Sequence, residues 1–304
     1  MAISHNDWIK EYINFIKKGD LDNALSLKYS HHPTCYYKFR ALTDYNLECI
    51  ENDWLWISKI EHLNDLFESS LTLNKNEISR MQFTSAEFMA NLKNKSIYSF
   101  TNQDFERIKG SLEPYKTFRD ISKLKGVLIT ETDIEQQLED EWQKFQVEQN
   151  EFIRICSFGT SYESLLMWSH YSDQHKGICI EYDFSNSPAI NYWMTPIHYS
   201  EERCMINSIP EMNSVNKFIA TMTKSKDWQY EQEWRFILYG KTNVELVNNR
   251  LNVPTPIAIY LGPRFYLNPE DKKQRLLKVA QHKKIPTYNM TNHNREYKLT
   301  KLEK

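Results

Sequence analysis

Ile9, Tyr12, Ile13 and Ile16 fall three and four residues apart, the spacing of one buried helical stripe, and Asn6 or Asp7 stands where a helix cap is needed. Gly19-Asp20 ends that helix, Leu21–Lys28 predicts a short second one, and Pro33 closes the segment. The pattern then changes. Tyr36–Arg40 and Trp54–Ser58 are short aromatic runs that predict strands, with a helix carrying Leu42, Leu47, Cys49 and Ile50 between them. Asn64–Glu68 predicts a turn that enters a helix. From about residue 71 to 150 the chain is rich in Lys, Glu, Gln and Asn, and amphipathic helices are predicted around Ser85–Leu92, Gln103–Ile108 and Asp133–Gln146. Strand-like sequence resumes at Phe152–Phe158 and recurs at Gly177–Asp183, Ile197–Tyr199, Ile257–Leu261 and Ile285–Asn289. Helices are predicted over Ser161–Tyr171, over Val215–Lys226, and from an Asn268 cap with Pro269 in the first turn to about Lys284. The order reads as an N-terminal helical segment, residues 1–33, followed by an α+β domain, residues 34–304, with a helical insertion at about 71–150.

Chemistry concentrates in Trp228–Arg235. Glu231 and Glu233 are separated by one residue inside an aromatic run that continues into Phe236, Ile237 and Leu238. On a strand, residues two apart share a face, so both carboxylates project together, about 7 Å apart at the backbone. Like charges on one face oppose each other's ionisation, which is costly as structure and useful as chemistry. The plainer reading is a solvated sheet edge with Arg235 as ion-pair partner.

Composition narrows the classes. The 304 residues are 40% hydrophobic, 26% charged and 13% aromatic, an ordinary globular mixture with a net charge of −2. Seven glycines, with neither a GxGxxG nor a GxxxxGK[ST] pattern, leave no glycine-rich phosphate loop. The N-terminus has no apolar signal core and no run is long enough to span a membrane, which predicts a cytoplasmic protein. Five scattered cysteines without a CxxC read as reduced thiols, and His31-His32 has no zinc frame. Lys272–Lys304 holds ten Lys or Arg and two acidic residues, so segment 272–304 is either a nucleic-acid contact or a solvated helix and tail.

Three stretches together resemble the prokaryotic domain of unknown function numbered 2971. They are Tyr37–Arg40 with Asn64–Glu68; Ser157-Phe158 with Met167-Trp168-Ser169-His170-Tyr171, His175, Gly177 and Ile180–Tyr182; and Trp228 with Tyr230–Arg235. The resemblance spans about residues 36 to 265, and Leu66 stands where the family usually has proline. More distantly, the order Arg40, Ser157, Glu231-Gln232-Glu233 resembles the arginine–serine–glutamate class of ADP-ribosyltransferases. That resemblance implies a split antiparallel sheet with flanking helices, NAD as substrate, and no glycine fingerprint. It implies that Glu233 stabilises the oxocarbenium ion formed when the nicotinamide–ribose bond breaks, and that Glu231 orients or deprotonates an acceptor. Ser157 then fixes Glu233, Arg40 holds the NAD phosphates or adenosine ribose, and Trp168, Tyr171 or Trp56 stacks on nicotinamide. It further implies a toxin or effector of bacterial or phage conflict, acting on a protein or nucleic acid beside the partner proteins of a defence or toxin–antitoxin system.

Each residue also has a structural explanation. Arg40 has Asp44 and Glu48 on the next helix to pair with, Ser157 ends a strand, Trp168 and Tyr171 suit a core, and Glu181 faces solvent or pairs with Arg235. His170 and His175 stay open between core and catalysis. Two rival functions remain. One is a catalytically degenerate binding or sensor subunit of a defence assembly. The other is a metal-dependent hydrolase or nuclease using Glu231, Glu233, Asp65 and Glu68.

Overall fold

Aromatic residues at Tyr36, Tyr37 and Phe39 make the first strand, and its partners define the sheet that carries the site. The computed structural model describes residues 5–82, 100–126, 131–239 and 249–302. The strands are β1 (Tyr36–Arg40), β2 (Trp54–Trp56), β3 (Leu71–Leu73), β4 (Ile153–Phe158), β5 (Ile178–Tyr182), β6 (Met194–Pro196) and β7 (His198–Ser200). They continue as β8 (Cys204–Ile206), β9 (Thr223–Ser225), β10 (Trp234–Tyr239), β11 (Arg250–Asn252), β12 (Ala258–Leu261), β13 (Thr287–Asn292) and β14 (Leu299–Lys301). The protein is mixed α+β, with several small sheets rather than one large one. Among the described residues no helix is long and apolar enough to cross a membrane.

Contacts divide the chain into two units, the first made of residues 1–69, 152–202 and 221–304. Its main sheet runs β1-β5-β12-β13-β14, antiparallel except for the β12–β13 pair. A second sheet, β4-β10-β6, is antiparallel and sets Arg235 opposite Ser157 and Trp234 opposite Phe158. The two sheets meet at one bridge, where Tyr37 and Gly159 exchange backbone hydrogen bonds of 3.0 and 2.8 Å. Beyond it β1 and β4 separate, leaving a cleft between residues 38–40 and the end of β4.

Under the main sheet Phe39 meets Trp168 edge-on at 5.3 Å, in a core with Cys179, Tyr260, Met290 and Leu299. The helix His5–Lys18 buries the predicted stripe and adds Trp8, whose ring stacks on His31 at 4.2 Å. Asp20 caps the next helix, Leu21–Ser30. The helix Glu270–His282 packs on Asp44–Glu51 through the Arg275 fork to Glu51, at 2.7 and 2.6 Å. Its cap position is Pro269; Asn268 instead donates from its amide to the carbonyls of Lys176 and Phe265.

The second unit comprises residues 70–151 and 203–220. It holds the helices Lys75–Gln82, Asn102–Lys109, Pro114–Leu124 and Glu131–Phe152, with β3 parallel to β8. Leu71, Ile78, Leu138, Phe145, Ile206 and Ala220 form its core. A reciprocal capping box between Thr101 and Asp104 starts the second of those helices. The helix predicted at Ser85–Leu92 lies outside the described residues. Residues 203–220 join this unit through a three-residue strand too short to show alternation in the sequence.

Three local expectations change. Asn64–Glu68 is a turn without a helix, closed by the Asp65 carboxylate accepting from the Phe67 amide at 2.9 Å. The helix expected over Val215–Lys226 is Ser214–Thr221, and β9 follows it. The paired glutamates are not on one strand. Residues Lys226–Glu231 form a 3-10 helix capped by Ser225, and Gln232 turns the backbone in the left-handed region at φ 43° before β10 begins.

Candidate functional site

Despite that turn, Glu231 and Glu233 converge, because Lys224 lies between them. Its Nζ is 2.6 Å from Glu231 Oε2 and 3.1 Å from Glu233 Oε2, with all three side chains at most 4% exposed. The same ammonium lies over the Trp228 ring at 4.6 Å. Glu233 also takes Arg235 Nε at 2.7 Å. Arg235 continues the chain: its fork closes on Glu68, with Nη2 at 2.8 Å from Oε2, and Nη1 donates to the Thr221 carbonyl at 2.7 Å. At the other end Tyr171 donates to Glu231 Oε1 at 2.5 Å and accepts from the Asn64 amide at 3.1 Å. A buried line therefore runs Tyr171–Glu231–Lys224–Glu233–Arg235–Glu68.

The two carboxylates differ sharply. Burial, then the charge of Glu233, pushes Glu231 up to about 7 against the pull of Lys224 and Tyr171. Burial works on Glu233 too, but Arg235 and Lys224 outweigh it and hold that carboxyl well below the usual range, with a Ser157 hydrogen bond acting in the same direction. The two environments therefore push the carboxyls apart, Glu233 towards its ionised form and Glu231 towards its protonated form.

These groups line a cavity of about 260 Å3 with Lys38, Arg40 and Trp56. Arg40, Ser157, Glu231, Glu233, Tyr171 and Trp56 are thus brought to one cleft. Trp168 is not. It is fully buried, donates its indole N–H to the Tyr162 carbonyl at 2.6 Å, and serves the core. Arg40 pairs with neither expected partner: Asp44 holds Lys272 and Arg275, and Glu48 holds Arg250. Glu181 is half-buried and accepts from Tyr37 at 3.0 Å and from Tyr260 at 2.6 Å, so it does not pair with Arg235. His170 shares a hydrogen bond of 2.9 Å with the Tyr230 hydroxyl. His175 is the last of three consecutive residues with positive φ (Asp173 48°, Gln174 54°, His175 70°), a turn that brings Gly177 against β1. A Cβ on Gly177 would sit 2.1 Å from the Arg40 carbonyl oxygen, so only glycine allows β5 to start there.

The sequence reading missed Lys38 and Lys224, and it gave Glu68 only a metal-ligand role. The signal for Lys38 was its place two residues before Arg40 on the same face of a strand. A metal site from Glu231, Glu233, Asp65 and Glu68 does not fit: Lys224 and Arg235 already supply the positive charge between three of them. Among the described residues no group of three or more His, Cys, Asp or Glu could hold a metal ion. In the basic C-terminal stretch Lys272, Lys273, Arg275, Lys283 and Lys298 are ion-paired, and Lys301 lies over the rings of Tyr162, Tyr260 and Tyr288.

Fold and site define an α+β protein whose cleft is backed by a buried chain of alternating acids and bases. Residues 167–236 match a family model described as a protein of unknown function, DUF2971. The matched stretch holds Tyr171, Lys224, Glu231, Glu233 and Arg235, while Lys38, Arg40, Glu68 and Ser157 lie before it. No curated protein and no solved structure matches the chain.

Proposed function

We propose that the protein is an NAD-dependent ADP-ribosyltransferase or NAD glycohydrolase, with the gap between the five- and three-stranded sheets taken as the split sheet of that class. The support is one observation: Arg40 from β1, Ser157 from β4, Glu231 from the 3-10 helix and Glu233 before β10 line one cleft. Arg40, without a carboxylate partner among the described residues, binds the diphosphate through its planar fork. Glu233, kept ionised by its cations, faces the positive charge that develops on the ribose. Glu231 takes the proton of the attacking hydroxyl or water. Tyr171 and Trp56 are the rings available to the nicotinamide.

A second reading has its own support. Glu233 is 3% exposed at its side chain and has an ion-pair partner on each oxygen, as befits a strut in a catalytically degenerate binding or sensor subunit. Incubating the purified chain with labelled NAD separates the two. The transferase reading expects free nicotinamide together with ADP-ribose or a labelled acceptor. Binding without turnover, with candidate protein and nucleic-acid acceptors present, supports the strut. A parallel incubation of nucleic acid with magnesium or manganese is expected to leave the nucleic acid intact.

A further inference from the structure

Lys38 is used by neither reading above. Its side chain enters the cleft from β1, yet the residue is only 7% exposed. Among the described residues no carboxylate lies within ion-pair distance of it, although the Glu233 charge on the same cleft acts to raise its ammonium. Nζ donates to the Ser157 carbonyl at 2.5 Å, lies over the Phe158 ring at 5.2 Å, and hydrogen-bonds the Cys156 side chain. Burial, and then the nearby Arg40 charge, lowers its ammonium to about 8. Arg40 shares its strand face, two residues on, and is likewise free of a carboxylate. A buried lysine beside a second cation, open to a cavity, is the arrangement that makes an amine nucleophilic near neutral pH. The neighbouring guanidinium is a fork suited to a phosphate.

We infer that Lys38 and Arg40 form a site for a small phosphate-bearing aldehyde, held by Arg40 and captured by Lys38 as an imine. The neutral amine adds to the aldehyde carbon. Both amine protons end on the carbonyl oxygen, which leaves as water, and a carbon–nitrogen double bond remains. The inference does not depend on NAD being a substrate, so failure of one leaves the other standing.

Lys28 is the internal control. It is also buried and also lowered to about 8, and its Nζ also donates to backbone carbonyls, those of Tyr192 and Asn191, but it is not among the residues that line the cleft. The probes are pyridoxal 5′-phosphate and pyridoxal, each incubated with the full chain and trapped with borohydride, which adds hydride to the imine carbon and leaves a secondary amine. Peptide mapping should place the first label on Lys38 and not on Lys28 or the C-terminal lysines. The phosphorylated probe should label it about tenfold faster, the size of one charge-assisted hydrogen bond. Arg40→Gln should erase that preference, and inorganic pyrophosphate should protect the wild type. Label spread evenly over surface lysines, or Lys38 labelled equally fast by both probes, overturns the inference. The wild-type mapping decides it even if Arg40→Gln does not fold.

Discussion

Arg235 shows how much one side chain in this cleft has to reconcile. It is 1% exposed and joins Glu233 to Glu68, which stands 167 positions earlier in the chain. Burial disfavours its charge, and the two carboxylates overcome that. Replacing it by Met leaves the Glu68 carboxylate without a cation and Glu233 with Lys224 alone, which is expected to cost about 3–5 kcal/mol. Arg235→Lys is expected to recover only part, because an ammonium does not reproduce the fork. Urea unfolding of both variants measures this; a loss below 1 kcal/mol in the Met variant would show that the buried line is not a folding contact. The pairing was only half legible. The Glu-x-Glu spacing announced two carboxylates acting together, but Lys224 and Glu68 come from other elements, and no local pattern connects them to Glu231 and Glu233.

At the scale of elements, the strands around the cleft were readable because they are dense in aromatic and β-branched residues. β1, β4, β5 and β12 lie within two residues of their predicted bounds. The approach to β10 was misread because Trp228 and Tyr230 have strand-like side chains on a 3-10 helix. The Ser225 cap and the left-handed Gln232 decide that backbone, and neither has apolar periodicity. The turn after Tyr171 is another such case, since Asp173–His175 adopt positive φ without a glycine among them. It delivers Gly177 beneath Arg40. Gly177→Ala is therefore expected to displace β1, lowering the melting temperature by several degrees and weakening diphosphate protection of the cleft. A Gly177→Ala protein that melts and binds like wild type would mean that β1 accommodates the methyl group at no cost.

For the whole molecule, buried Glu231 and half-buried His32 pull the pH dependence in opposite directions. Burial raises Glu231 from an ordinary value of 4.5 to about 7 in the fold. It therefore stabilises the fold at low pH, and that contribution disappears as pH rises through 7. His32 is lowered from 6.5 to about 4, by burial first and by Lys28 second. Its contribution is complete above 6.5 and is lost as pH falls through 4. Between pH 6.5 and 4.5 the two oppose each other. Burial also lowers His175 and His198, which act in the same direction as His32. As pH falls across that window, Glu231→Gln is therefore expected to lose more stability than wild type and His32→Asn to lose less, in thermal melts at each pH. Parallel slopes in both variants would contradict the assignment of the two groups. The central claim concerns Glu233, and its most direct test is nicotinamide release from NAD by wild type, Glu233→Gln and Glu231→Gln, normalised to the folded fraction of each. Removing the charge at Glu233 should slow release about 100- to 1000-fold while NAD binding changes little. Glu231→Gln should impair transfer more than release. Wild-type-like release from folded Glu233→Gln would contradict the account.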